Sequence, residues 1–495
     1  MTTFDYWTDK AAGLSIRNQA FINGRFVASL SGKTFDNINP ATAQNIGPVA
    51  QCDTRDVDRA VTAARQVFEA GTWSNMHPAQ RGKKLMKLAN LISDHGEELA
   101  LLESLDMGKP ISDAMAIDIP GCARCIHWYG EAADKLMDEI APTDPGALAM
   151  VTREALGVIG IVVPWNFPLL MACWKIGPAL AAGNSIVLKP AEQSPLSALR
   201  LAELATEAGI PDGVLNVLPG FGETAGQALG MHMDVDMIAF TGSTQVGKLF
   251  LQYSGQSNLK RVSLECGGKS PHIITRNCAD LDKAASAAAS AIFFNQGEVC
   301  TAGSRLLVDR AIKAEFMEKL ILASAHYTVG DPLHPDTSMG ALVEEQHMNR
   351  VLGFIKKAKD EGATLKLGGC RSNGREGFFV DPTIFDDVTP DMTIAREEIF
   401  GPVLSILTFD DEAEAIRIAN DTIYGLAAAV WSQDISQAHR MARAIRAGTV
   451  WINCWDPSGD MTIPFGGFKQ SGFGRDKSLH ALEKYTDLKT TWIQL

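Results

Sequence analysis

The chain has 495 residues, 46% of them hydrophobic and 21% charged, and a formal net charge of −13 at pH 7. That length supports two or three domains with more than one core, and the negative balance argues against general nucleic-acid binding. No run of 18 apolar residues and no basic, apolar export leader is present, so no membrane span and a cytoplasmic location are expected.

In chain order, "FINGRFV" (21–27) reads as two short strands around an Asn-Gly turn. Residues from about Asp56 to Leu136 carry helical periodicity. This stretch holds the one C-x-x-C of the chain, Cys122 and Cys125 in "GCARCIHWYG". No second cysteine pair follows, so no metal site is expected. The nine cysteines are irregularly spaced and read as free thiols of a reducing compartment. From Gly157 the texture changes. "GVIGIVVPWNFPLL", "NSIVLKPAE", "GVLNVLPG" and "VDMIAFTGS" are short apolar strands, separated by helical stretches such as "PLSALRLAELATEAG". Strands alternating with helices of 10–15 residues imply βαβ units and a parallel sheet. A second α/β segment starts near Pro271 and runs to about Phe465, with strands "SRLLVD", "PTIF", "PVLSILTF" and "TVWIN". The tail "ALEKYTDLKTTWIQL" ends in a strand that needs a neighbour, in another domain or subunit.

Four stretches carry chemistry. "FTGSTQVGK" has the Gly-x4-Gly-Lys spacing of a nucleotide triphosphatase, but Leu249 stands where a magnesium-binding hydroxyl is required. Gly242 and the helix that follows can still receive a pyrophosphate, unless this is a plain strand-to-helix turn. In "IVLKPAEQSP", Lys189 and Glu192 lie just past the end of a strand, where open α/β sheets bind ligands. A carboxylate there can bind ribose hydroxyls and repel a 2′-phosphate, which favours NAD over NADP; a solvated loop charge is the alternative. In "SLECGGKS", Glu265 is a candidate general base or an ordinary loop carboxylate. Cys266 alternates away from it and reads as a structural thiol. In "AIFFNQGEVCTAGSR", a lone Cys300 follows an Ala-rich helix in a loop with Gly297 and Gly303. A buried structural thiol is the usual fate of a free cysteine. A nucleophile activated by a base is the sharper reading. The local signatures of cysteine hydrolases are missing.

Together, "PWNFP", "LKPAE", "FTGST", "LECGGKS", "FFNQGEVC", "EEIFGPV" and "PFGGFKQSG", in this order, resemble the NAD(P)-dependent aldehyde dehydrogenase superfamily, with the strongest likeness to bacterial γ-glutamyl-γ-aminobutyraldehyde dehydrogenases. The resemblance implies a Rossmann-like NAD-binding domain (1–137 and 157–267), an α/β catalytic domain (268–465), oligomerisation strands (138–156 and 475–495), and a homodimer or homotetramer. It implies Cys300 as nucleophile, Asn166 with the Cys300 N–H as oxyanion donors, and Glu265 as the base that hydrolyses a thioester. Pro164, Trp165, Lys189, Glu192, Gly242, Ser243, Glu398 and Phe400 would hold the dinucleotide. Asp476, where many relatives have Glu, would serve a proton relay. Phe167, Trp174 and Phe465 would line an aromatic substrate channel, with Asp118, Trp455, Asp456 and Asp460 at its mouth. The expected substrate is an ω-amino or γ-glutamylamino aldehyde of polyamine breakdown. An enzyme of broad aliphatic or betaine-aldehyde preference is the alternative, and a catalytically silent structural relative the more distant one.

Overall fold

The computed structural model describes residues 2–457 and 459–495. An eight-stranded sheet runs, edge to edge, through Gly472–Phe473, Arg261–Cys266, Met237–Gly242, Val158–Val162, Ser185–Lys189, Leu215–Val217, Ala20–Ile22 and Arg25–Val27. The five strands from Arg261–Cys266 to Leu215–Val217 are mutually parallel. Val158–Val162 and Ser185–Lys189 are buried at every position, because helices cover both faces of such a sheet. From Val158–Val162 the chain first builds outward through 185–189 and 215–217. It then returns to the other side with 237–242 and 261–266. The strand order therefore reverses between Val158–Val162 and Met237–Gly242. A crevice forms there outside the carboxyl ends of the strands, and Pro164, Trp165, Gly242 and Ser243 line it.

Four residues, Gly267 to Ser270, connect this sheet to a second. Its seven strands run Thr364–Leu367, Thr383–Asp386, Val403–Phe409, Arg305–Asp309, Pro271–Ile274, Ala427–Trp431 and Thr449–Ile452. All neighbours are parallel except the first pair. The run Ala427–Trp431, "AAAVW", lacks a strand signature in its composition, yet it is wholly buried beside Pro271–Ile274.

The tail strand Thr486–Gln494 pairs within its own chain. It lies antiparallel to Ala147–Ala155, from Thr486 opposite Ala155 to Gln494 opposite Ala147, and Glu139–Ala141 completes a three-stranded sheet. This sheet leaves Leu488, Trp492 and Ile140 exposed. Just upstream, Gly472–Phe473 returns to the edge of the first sheet against Leu264 and Glu265. No helix among the described residues is long and apolar enough to cross a membrane.

Candidate active site

The loop that carries Cys300 is built by backbone geometry. The helix Leu281–Phe293 is capped by Asp280, whose carboxylate accepts the Lys283 N–H at 2.9 Å. After it, Asn295, Gln296 and Gly297 adopt φ of 48°, 58° and 73° in succession. Gly tolerates this left-handed region freely and Asn better than most residues. Gln296 is held there by accepting the Gly340 N–H at 3.0 Å on its side-chain oxygen. Gly297 has a second constraint, since a Cβ there would overlap the Gly401 carbonyl. The Glu298 carboxylate, wholly buried, accepts the Val343 N–H at 3.1 Å. The loop is thus tied to two other segments of the chain.

Cys300 stands where two cavities meet. One, of about 390 Å³, is lined by Pro164, Trp165, Gly242, Ser243, Glu398 and Phe400. The other, of about 430 Å³, is lined by Phe167, Trp455, Asp456 and Lys477 among others. Met171, Trp174, Cys300 and Phe465 border both. Asn166 and Glu265 line the first cavity with Cys300. One Asn166 amide hydrogen goes to the Glu298 carbonyl at 2.7 Å, and Asn295 donates to the Asn166 carbonyl at 3.1 Å. A primary amide has two N–H donors, so the residue is fixed by one and keeps the other. The Cys300 thiol is pushed up to about 12 by desolvation, then by the charges of Glu398, Asp456 and Glu265. It rests as a thiol and needs a base on reaction.

Glu265 is 3% exposed, and neither carboxylate oxygen has a hydrogen-bond partner among the described residues. Burial, then the nearby Asp476 charge, lifts it well above the usual carboxylate range. An unpaired acid with a raised proton affinity beside a nucleophile is poised for proton transfer. Behind it lies a buried triad. Asp476 pairs with Lys175 at 2.8 Å and more closely with Lys484. Burial alone would raise Asp476, but the two ammonium groups hold it below its ordinary value. Replacing it removes the counter-charge from two buried cations. Asp476→Asn is expected to cost about 3–5 kcal/mol of stability in a urea titration, and a loss below about 1 kcal/mol would refute this account of the triad.

In the first cavity, the Glu398 carboxylate accepts the Gly268 N–H at 3.0 Å, and burial raises it to about 7. A Cβ on Gly267 would overlap that carboxylate, so the glycine pair makes room for it. Phe400 sits at φ 60°, and its carbonyl accepts from His347 Nε2 at 2.6 Å. Trp165 meets both rings edge-on at 5.3 Å. Ser243 caps the helix Thr244–Gln256, which leaves first-turn N–H groups for an anion. The Thr241 hydroxyl, at the same strand end, is buried without a partner among the described residues. These features fit a dinucleotide: a helix N-terminus for phosphates, an orphaned hydroxyl, and a carboxylate for ribose. Lys189 and Glu192 lie on the same strand edge but pair with each other at 3.1 Å and do not line the cavity. Cys266 faces the helix side, with its sulfur 3.0 Å from where a Gly247 Cβ would stand, and also touches the cavity wall.

Around the second cavity, Trp174 and Phe465 meet edge-to-face at 5.0 Å, and Trp455 stacks on His272 at 4.8 Å. Asp456 lines the cavity, whereas Asp460 is exposed and bonded to Thr462. Asp118 is elsewhere than expected. It is wholly buried in an ion pair with Lys109 at 2.6 Å, and the Lys109 ammonium lies 3.9 Å from the Phe167 ring centroid. The reason is a π-helical turn at Ala114–Asp118 inside a longer helical run. Its extra residue shifts the helical face, and the carboxylate turns inward. Glu298, His347, Lys175, Lys484, Arg124 and Lys477 carry no signal in the sequence that would have marked them.

The family model for the aldehyde dehydrogenase family matches residues 26–491. The chain is 54% identical over 490 residues to the NADP/NAD-dependent aldehyde dehydrogenase PuuC of Escherichia coli, covering 99% of this chain and 98% of that one. It matches the solved structure of an indole-3-acetaldehyde dehydrogenase with NAD+ at a TM-score of 0.99 and 57% identity, over 100% of both chains. The γ-glutamyl-γ-aminobutyraldehyde dehydrogenase of Burkholderia cenocepacia matches at 0.98 and 56%, again over 100% of both.

Proposed function

The chain belongs to the aldehyde dehydrogenase family and is an NAD(P)-dependent aldehyde dehydrogenase, and on that footing we propose that it oxidises an amino aldehyde, with γ-glutamyl-γ-aminobutyraldehyde as the leading candidate, through a thioester on Cys300. The meeting of two differently lined cavities at one thiol carries this reading.

Cys300 attacks the aldehyde carbon, and its proton leaves through water to solvent, so that the Glu265 carboxylate stays free for the later step. The free Asn166 N–H and the Cys300 N–H face the oxygen that gains charge. Loss of one such donor typically costs about 3–4 kcal/mol of barrier. When bound, NAD(P) supplies the hydride acceptor, and Glu398, Phe400, Trp165 and Ser243 hold it. The carbonyl re-forms as a thioester to Cys300. Glu265 then takes a proton from water, which adds to the thioester and expels the thiolate as the acid forms. Asp476 and its two lysines set the charge around Glu265. Glu192 lies outside the first cavity, just past the end of Ser185–Lys189, where only the adenosine ribose of an extended dinucleotide would reach it; there it favours NAD over the 2′-phosphorylated cofactor, which a ratio of kcat/KM for the two cofactors tests. The domain limits given above, 1–137 with 157–267, 268–465, and 138–156 with 475–495, are part of this reading.

The exposed Leu488, Trp492 and Ile140 support a homodimer or homotetramer joined through the three-stranded sheet; a monomer by light scattering overturns that. Nine free cysteines fit a cytoplasmic enzyme, which cell fractionation checks. Turnover of 3-aminopropanal, γ-glutamylaminobutanal, betaine aldehyde and hexanal decides the substrate. The γ-glutamyl compound is expected to show the highest kcat/KM, and a clear preference for hexanal would end the amino-aldehyde reading.

A further inference from the structure

The second cavity is lined by three charges that the chemistry at Cys300 leaves unused: Arg124, Lys477 and Asp456. They come from three separate segments. Arg124 is on the helix Ile119–Ala132, Asp456 follows the strand Thr449–Ile452, and Lys477 is the residue after Asp476. Among the described residues neither cation forms an ion pair or donates a side-chain hydrogen bond. Lys477 is only 8% exposed, and its ammonium lies 5.5 Å from the Trp174 ring centroid, inside the channel wall. Burial pulls this amine below its ordinary range, while Asp456 and Asp460 partly offset the effect. The Arg124 guanidinium runs along Gly459, 3.1 Å from where a Cβ there would stand.

The backbone at these positions is unusual. Lys477 sits at φ 60° and Asp456 at φ 35°, both non-glycine residues in the left-handed region. Such conformations cost energy and persist where the surroundings enforce them, often at ligand clamps. Two cations with no ion-pair partner among the described residues, and one carboxylate, around a single cavity form a pattern that simple aldehydes do not answer. An apolar aldehyde offers none of the three charges a partner. An amine-only aldehyde places a third cation among the two.

We propose that Arg124 and Lys477 bind the carboxylate, and Asp456 the ammonium, of an α-amino-acid head group at the far end of the aldehyde. This rests on the oxidation of amino aldehydes at Cys300 argued above, and adds which residues read the distal group. The three side chains are specificity determinants that touch the tail of the substrate.

The test compares γ-glutamylaminobutanal, which carries the head group, with 4-aminobutanal and hexanal, which lack it. Wild type, Arg124→Gln, Lys477→Met and Asp456→Asn are assayed with saturating NAD. Each cation variant is expected to lower the ratio of kcat/KM for γ-glutamylaminobutanal over hexanal by about ten- to a hundredfold, the loss of one charge-assisted hydrogen bond. The effect should appear mainly in KM. Asp456→Asn should lower the ratio of γ-glutamylaminobutanal over hexanal in the same direction. Arg124 lies at the surface, so Arg124→Gln tests the idea without burden on folding. Ratios held near the wild-type value in Arg124→Gln and Lys477→Met overturn the proposal, as does an equal fall for all three aldehydes. A wild type that prefers hexanal fails the amino-aldehyde reading instead, so the two failures are told apart.

Discussion

Cys300→Ser is expected to abolish aldehyde oxidation, lowering kcat at least about 10⁴-fold, because nucleophile removal costs up to about 10⁶-fold in comparable acyl-transfer enzymes. A hydroxyl in place of the thiol is far less acidic and a poor leaving group from the ester it would form. The surroundings sharpen the loss. Glu398, Asp456 and Glu265 all raise the proton affinity of this position, so an alkoxide is harder still to reach. The variant should bind NAD as the wild type does, since the dinucleotide cavity is lined mainly by other residues. NADH absorbance in the steady state measures the first expectation. Quenching of tryptophan fluorescence, with Trp165 in the cavity wall, measures the second. Substantial residual turnover would remove the thiol from the mechanism.

Glu265→Gln should separate the two halves of the reaction. Hydride leaves the tetrahedral adduct before water is needed, so one equivalent of NADH per site is expected in a burst. Slow turnover follows, reduced by roughly 10²–10⁴-fold, the usual contribution of a positioned base. Rapid-mixing absorbance reads the burst, and intact-protein mass reads the accumulated thioester. A proportional loss in both phases would show that Glu265 acts before the thioester as much as after it. The same change should alter stability. Glu265 binds its proton more tightly folded than unfolded, because burial and Asp476 raise it. The folded state therefore holds more protons, and this group makes stability fall as pH rises above its unfolded value of about 4.3. At neutral pH Glu265→Gln should be more stable than wild type, and the difference should shrink in acid. Wild-type hydrolysis should likewise increase with pH above the usual carboxylate range, and the variant should lose that limb.

Much of this was legible in short local strings. A strand followed by Gly242 and a helix, or an Ala-rich helix broken before a lone cysteine, states its geometry within ten residues. The alternation of Leu264, Glu265 and Cys266 correctly sends the last toward the helix that contains Gly247. What stayed hidden depends on contacts across the chain. Lys175 and Asp476 are 301 positions apart, and no pattern near either one announces the pair. Arg124 and Lys477 carry no local signal, and only the fold places both at one cavity. The resemblance puts Asp118 at the channel mouth, but its carboxylate follows a π-helical turn, which the 3.6-residue periodicity of helical faces does not reveal, and is buried against Lys109. Ala427–Trp431 gives no strand signal of its own, because three alanines favour a helix in isolation, and only burial between neighbouring strands makes them a strand.

The two chambers on either side of Cys300 give the enzyme two doors. With the dinucleotide in the first chamber and the aldehyde in the second, as proposed, an acid product can leave along the aromatic passage while the cofactor stays bound. A compound that plugs the outer passage should therefore trap the aldehyde or its acid without displacing the cofactor. One that occupies the crevice at the strand ends should do the reverse, so inhibitors of this single thiol divide into two groups by the entrance they use.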